Sequence, residues 1–532
     1  MTSADAIRDA EMRRVLLGDY FLSLIRQLDL TKAPLNSKWI REDALPVMAR
    51  IAYGKNLVCM PILSEKTRVL FQNRLMSVFG YLLSNISGYI YPCELLQKFS
   101  PDAVDMDKNI LDAKDRALSI MEKILKKSKK ASDQGKPPLQ ALALLYSLTI
   151  FQLYNGESEA ISILDELKIC YDKLIRHKDT EGSDIEASEV LVELLLSFIS
   201  KPSALLRKVT QHVFQAFMGQ MTGGGLKLMT DVLESNENLR GQQEIFDQES
   251  DNDIQEDEDS DDEEMDSDVE VIDMDGDEGD FNGHLNDGSD DDIDEDDDSA
   301  ENDNEEAQKF NDALAKALGT RRLDQDLQEE ESDSDTDMTD SEMMALDSKL
   351  VEIFSQRKKI PNKKKEQKDA KETMVNFKSR VLDLLEIYVK RSSSNPLAYG
   401  LLLPLLQLIR TTKAKQLAEK AQNVIFSFTK AAKKEIPADI EMSEQLKSMR
   451  AIHLEASKDP SHLFAKAASA ASLLIAQNMY RVNKGSVKKI VRIYGDTMIV
   501  WVGKEVRMQA VFFEQFNNWC QSHANSKTEE GK

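Results

Sequence analysis

The chain has 532 residues, 41% of them hydrophobic and 6% aromatic, a length that allows two to four domains of roughly 100 to 200 residues each. Its net charge of −26 has one main source: the 60 residues from Asp247 to Glu306 hold 33 Asp or Glu and no Lys or Arg, leaving 61 acidic and 68 basic groups in a body of about +7. The four cysteines, Cys59, Cys93, Cys170 and Cys520, stand far apart with no Cys-x-x-Cys pair, which excludes a zinc ribbon and a disulfide scaffold and suits a reducing compartment.

The N-terminus, MTSADAIRDAEMRR, is charged where a secretory signal needs an apolar core. Up to about residue 240 the apolar residues recur at helical spacing between short polar breaks. Lys126, Lys127, Lys129 and Lys130 end one such helix, where cations suit the helix dipole. The 20 residues from Pro137 to Gly156 carry no charge, but Gln140, Ser147, Thr149, Gln152 and Asn155 make a buried core helix the better reading than a membrane span. Ile161, Leu164, Leu167, Tyr171 and Leu174 form the next stripe, then Val190, Leu191, Leu194, Leu195 and Phe198, then Leu205, Leu206, Val209, Val213 and Phe217. Ser183 with Glu186 reads as a capping box, and Pro202 suits a first helical turn. Two-faced helices on short connections must stack on their neighbours, which points to an all-α solenoid of the armadillo or HEAT kind, with an irregular bundle as the alternative. Gly223, Gly224 and Gly225 read as a helix end, since no Lys-Ser or Lys-Thr follows them to make a phosphate loop.

A block of about 1–245 therefore gives way to an acidic tract at 246–345. Its dense like charge and few apolar residues predict disorder, because burial cannot offset the entropy of ordering it. Glu278, Asp280 and Asn282 before Gly283 resemble a calcium loop, but Ser289 stands where the closing bidentate Glu is needed. Ser250, Ser260, Ser267, Ser289, Ser332 and Ser334 each have an acid three residues on, the pattern of an acid-directed kinase, so they are candidate phosphorylation sites.

The sign then reverses. A short helix around Leu346, Leu350, Ile353 and Phe354 leads into a Lys-rich linker, the two together spanning 346–375. Arg357, Lys358, Lys359, Lys363, Lys364 and Lys365 form two clusters, with Pro361 expected to interrupt helix between them. Such a run is ordinarily a solvated face; in an exposed linker it also serves nuclear import or phosphate contact. Helical stripes return over 376–523: Val381, Leu384, Leu385 and Tyr388; Leu401, Leu402, Leu405, Leu406 and Ile409, with Pro404 expected to kink it; and Leu417, Ala421, Val424, Ile425 and Phe428. Val487 to Val502 fits a hairpin through Gly495-Asp496, or a helix through Val487, Ile490, Val491, Tyr494, Met498 and Trp501. Its helical neighbours favour the helix. Residues 524–532 read as a disordered tail.

The segments PPLQALALLYSLTIFQLYNGESEAISIL, SFISKPSALLRKVTQHVFQAF, ALDSKLVEIFSQRKK, NFKSRVLDLLEIYVKRSSSNPLAYGLLLPLLQLIRTTKAKQLAEKA and FFEQFNNWCQSHA together resemble the Myb-binding protein 1A family, whose fungal members are called DNA polymerase phi. With the acidic tract between its halves, the resemblance covers nearly the whole chain. Known members are about twice as long, so the chain resembles their C-terminal half. The resemblance implies a nuclear, nucleolar armadillo-like protein acting in ribosomal RNA production, ribosome assembly and transcription regulation. Its partners would be rDNA or ribosomal RNA and pre-ribosomal or chromatin proteins, with no membrane and no small-molecule substrate.

The polymerase name calls for two carboxylates beside paired metal ions, commonly on a Tyr-Gly-Asp-Thr-Asp hairpin. Tyr494, Gly495, Asp496 and Thr497 match four positions, but Met498 replaces the second Asp; Asp335, Thr336 and Asp337 lie in the acidic tract. His177, His212, His284, His453, His462 and His523 are scattered, with no nucleophile arrangement. The expectation is a scaffold with no catalytic residue, cofactor or metal. An acidic chaperone for basic clients is the first alternative and a DNA polymerase the second.

Overall fold

The computed structural model describes residues 3–28, 34–54, 60–83, 88–99, 107–157, 159–176, 186–246, 340–433, 441–503 and 506–529, and within 340–365 the backbone alone. Among them the chain is helical throughout, with no strand. In order come α1 (Ser3–Gln27), α2 (Pro34–Trp39), α3 (Leu45–Tyr53), α4 (Glu65–Leu82), α5 (Ile90–Lys98), α6 (Lys108–Lys130), α7 (Lys136–Tyr154) and α8 (Ala160–Cys170). Then follow α9 (Ala187–Ser200), α10 (Ala204–Phe217), α11 (Gly223–Glu234), α12 (Leu239–Phe246) and α13 (Asp340–Arg391). The last six are α14 (Leu402–Thr411), α15 (Lys415–Ala432), α16 (Met442–Ala456), α17 (His462–Val482), α18 (Val487–Val502) and α19 (Val511–Glu529).

The chain forms two units. Met1–Glu237 and Glu372–Lys532 make one, and Asn238–Lys371 the other. In the second unit the described residues comprise α12 and the part of α13 up to Lys371.

In the first unit the uncharged stretch forms α7, against which α5, α6, α8 and α10 pack. Leu142, Leu144, Leu145, Ile150 and Phe151 are fully buried, each contributing roughly 1.5–3 kcal/mol by its removal from water. The polar residues in this helix are satisfied locally: Ser147 Oγ donates to the Leu144 carbonyl at 2.7 Å and Thr149 Oγ1 to that of Leu145 at 2.9 Å. Tyr53 donates to Asn155 Oδ1 at 2.8 Å and Gln140 to the Tyr89 hydroxyl at 2.9 Å. This is a core helix, and among the described residues no helix is long and apolar enough to cross a membrane.

The stripes at 381–428 are buried at every position named from the sequence. That of α9 is buried except for Val190, and in α10 the inner residues are Val209, Val213 and Phe217. α11 opens on Gly223 with Thr222 Oγ1 accepting from Gly225 N at 3.3 Å, so the glycine run is a helix start. A Cβ on Gly225 would stand 3.0 Å from Met221 Sδ and 3.3 Å from Val192 Cγ2, which is how closely α9 and α11 approach.

Residues far apart in sequence join the unit's two stretches. Lys378, only 2% exposed, donates to the Ser235 carbonyl at 2.7 Å and pairs with Glu237 at 3.2 Å, and Thr412 donates to the same carboxylate at 2.9 Å. Arg380 donates to the carbonyls of Ile199, Ser200 and Lys201 at 2.7, 3.2 and 3.1 Å, satisfying groups that the end of α9 leaves open.

Several boundaries differ from the sequence reading. Ser183 lies outside the described residues, and α9 begins after Glu186 with no side-chain cap, so the capping box does not mark its start. Pro202 lies before α10 rather than in its first turn, because Ser203 supplies the cap by accepting from Leu206 N at 3.3 Å. Pro404 does not kink a helix: a 3₁₀ turn at Pro396–Leu401 precedes α14 and places Pro404 in its first turn, where a missing N–H costs nothing. The short helix and linker at 346–375 are a continuous part of α13, which carries through Pro361; proline's fixed φ suits the helix, and its lost hydrogen bond is one among 52 residues. α19 continues to Glu529, past the expected end at 523. Residues 487–502 are the helix α18, but its buried face is Ile490, Ile493 and Tyr494, while Val491 and Met498 are exposed. The acidic tract from Asp247 to residue 339 lies outside the described residues.

Candidate nucleic-acid interface

Arg357, Lys358, Lys359, Lys363, Lys364 and Lys365 fall on the α13 backbone, and their side chains lie outside the described residues, as do Ser250, Ser260, Ser267, Ser289, Ser332 and Ser334. The second sequence cluster can be placed. Lys126, Lys127, Lys129 and Lys130 are exposed around the C-terminus of α6, which carries partial negative charge. Two are already engaged: Lys127 donates to the Ile175 carbonyl at 3.0 Å and Lys126 pairs with Glu122 at 3.4 Å. Between α6 and α8 a groove of 1080 Å³ mixes Asp112, Asp115 and Asp165 with Arg116, Lys123 and Lys168, a balance that gives a polyanion no net attraction.

A third cationic face was not singled out in the sequence. α17 ends at Val482, and a 3₁₀ turn at Lys484–Ser486 leads into α18, with Asn483 Oδ1 accepting from Gly485 N at 2.8 Å. Arg481, Lys484, Lys488, Lys489 and Arg492 are exposed across this corner. Lys484, Lys488 and Lys489 have no ion pair or side-chain hydrogen bond among the described residues. Arg481 donates to the Ala432 carbonyl at 3.2 Å, which brings the end of α15, with exposed Lys430 and Lys433, alongside. Arg492 approaches Asp496 at 4.0 Å, but at 84% and 68% exposure such a pair contributes little. The signal was present in the sequence: from Pro460 to Gly495 there is no Asp or Glu. The apolar stripe of 487–501 drew the reading toward helix against hairpin instead.

The polymerase-like tetrad lies within α18. Tyr494 stacks on Phe516 with ring centroids 3.7 Å apart and shares a hydrogen bond of 2.7 Å with Ser472 Oγ. Thr497 Oγ1 lies 2.7 Å from His453 Nδ1, and His453 Nε2 lies 2.8 Å from the same Ser472 hydroxyl. Burial lowers the His453 pKa from 6.5 to about 3, so the ring is a neutral core group. Asp496 is exposed, whereas Tyr494 is buried. The tetrad thus supplies three internal contacts and a single surface carboxylate. Among the described residues no three His, Cys, Asp or Glu gather as a metal site would require. Burial also pushes the Cys93 and Cys170 thiols up to about 12, away from the reactive thiolate. Asp335, Thr336, Asp337, His177 and His284 lie outside the described residues.

These features define an all-α class of protein whose most distinct surface is cationic. The sequence profile of the DNA polymerase phi family matches residues 2–389. The rDNA transcriptional regulator pol5 of Schizosaccharomyces pombe is 32% identical over 97% of this chain and 54% of its own length. The chain therefore belongs to the DNA polymerase phi family and spans about half the length of that relative. A Myb-binding protein 1A-like protein of Danio rerio is 30% identical over 30% of the chain and 12% of its own length. The rDNA transcriptional regulator POL5 of Saccharomyces cerevisiae is 29% identical over 27% of the chain and 13% of its own length. The two yeast relatives are thus named as regulators, not catalysts, although the family name says polymerase. No solved structure matches the chain.

Proposed function

We propose that this chain acts as a non-catalytic regulator of rDNA transcription and ribosome production in the nucleolus, a helical scaffold that holds rDNA or ribosomal RNA together with pre-ribosomal or chromatin proteins. The observation that carries this reading is the alignment of 97% of the chain with a relative named an rDNA transcriptional regulator. Successive helices packing on one another, α6 on α7, α7 on α8 and α8 on α9, support a solenoid-like scaffold. Arg357, Lys358, Lys359, Lys363, Lys364 and Lys365 would serve nuclear import or phosphate contact, and the serines of the acidic tract would accept phosphate. The test is to purify the tagged chain from nuclei and sequence the nucleic acid that accompanies it. Enrichment of rDNA or precursor ribosomal RNA over bulk nucleic acid is expected, and bulk composition would overturn the reading.

A second reading is favoured by the 33 acidic residues between Asp247 and Glu306, which could shield basic clients by charge alone. Deleting residues 247–306 separates the two. The scaffold keeps its nucleic acid and binds it more tightly without an internal polyanion as competitor, whereas a chaperone loses its histones or ribosomal proteins.

A further inference from the structure

We propose that the cationic corner formed by Arg481, the turn at Lys484–Ser486 and the first turns of α18 binds the phosphate backbone of nucleic acid, an inference that rests on the reading above and gives it a site. Five cations stand here in 12 residues, and the preceding stretch from Pro460 contributes no acid. Lys and Arg elsewhere on the first unit are commonly neutralised one helical turn away, as in Lys227 with Asp231, Lys390 with Glu386 and Lys447 with Glu444. Lys484, Lys488 and Lys489 lack any such partner among the described residues, so their charge is available to an external anion.

Shape adds a second argument. Lys488, Arg492 and Gly495 follow one another at helical spacing on one stripe of α18. A Cβ on Gly495 would meet no atom within 4 Å, so nothing inside the fold explains a glycine in a helix interior, where alanine is favoured. A missing side chain beside two cations allows a backbone to approach closely. From Lys488 to Gly495 the helix rises about 10 Å, the axial span of about three phosphates of one strand. Exposed Val482 and Val491 flank the charges and offer apolar contact to sugars. Phosphate contact carries no sequence information, so the site fixes position along the chain rather than choosing a base.

The test uses the full chain and measures affinity for a 20-nucleotide RNA, a 20-base-pair DNA and polyglutamate over a range of salt. The quadruple variant Lys484→Gln, Lys488→Gln, Lys489→Gln, Arg492→Gln should reduce the slope of log affinity against log salt by about 3 to 4, at roughly 0.7 to 0.9 per contact. The nucleic acid whose slope falls further identifies the ligand as RNA or duplex DNA. Replacing Lys126, Lys127, Lys129 and Lys130 by Gln should change the slope by less than half as much. Gly495→Asp, which keeps every cation and meets no neighbour, should weaken binding more than tenfold. An unchanged slope in the quadruple variant, full binding by Gly495→Asp, or a loss confined to polyglutamate overturns the proposal, the last by pointing to an acidic protein partner. A wild-type chain that binds neither nucleic acid removes the functional reading as well, whereas wild-type binding with an unchanged variant removes this site alone.

Discussion

His453 stays neutral because its ring is enclosed between α16, α17 and α18, with Ser472 and Thr497 on its two nitrogens and Tyr494 and Phe512 against its faces. Folded, it takes a proton only near pH 3; unfolded, it does so near 6.5. Above pH 6.5 neither state is protonated and the residue adds no pH dependence. As pH falls from 6.5 toward 3 the unfolded chain binds a proton that the folded chain refuses, so this residue lowers stability by about 1.4 kcal/mol per pH unit. Urea denaturation at pH 7.5 and pH 5 should show that loss in the wild type and a smaller one in His453→Gln; equal losses would mean that the ring is solvated. Asp496 makes the opposite case, a carboxylate with no second carboxylate to share a metal. A primed template with Mg²⁺ should not be extended by the wild type or by Asp496→Ala, and synthesis that the substitution abolishes would reverse the account of the tetrad. Sequence alone showed that Met498 breaks the motif. It did not show that Tyr494 and Thr497 are core contacts, because their partners lie on other helices.

Helix stripes were the most legible elements. Val381 to Phe428 lie inward as their spacing implies, since a two-faced helix has one way to hide its apolar side. Helix ends were less legible, because several residues compete to cap them. Ser203 displaced Pro202 from the first turn of α10, and the 3₁₀ turn at Pro396–Leu401 moved the start of α14 so that Pro404 was harmless. The junction between α11 and α13 was not legible at all: Lys378 is 141 residues from Glu237. That pair is nearly dry, so Lys378→Met should destabilise the first unit by about 3 to 5 kcal/mol by leaving a buried carboxylate without its cation. Adding Glu237→Leu should recover most of the loss, because replacing both partners removes the stranded charge. A single-variant loss below about 1 kcal/mol in denaturant would show that the pair is hydrated.

At the scale of the whole molecule, two stretches separated by more than a hundred residues form one helical unit. The intervening sequence holds most of the negative charge, while the unit presents an unpaired basic corner at Arg481 to Arg492. Net charge alone would have set nucleic acid aside; the distribution of charge does not. Membership of the DNA polymerase phi family agrees with that distribution, since the fission yeast relative, aligned with nearly all of the chain, is named for regulating rDNA. The most direct test is crosslinking of the chain to chromatin in nuclei, followed by measurement of its occupancy on the rDNA repeat against single-copy genes. We predict strong enrichment on rDNA that falls when Lys484, Lys488, Lys489 and Arg492 are replaced by Gln, whereas equal occupancy of rDNA and single-copy genes would contradict the account.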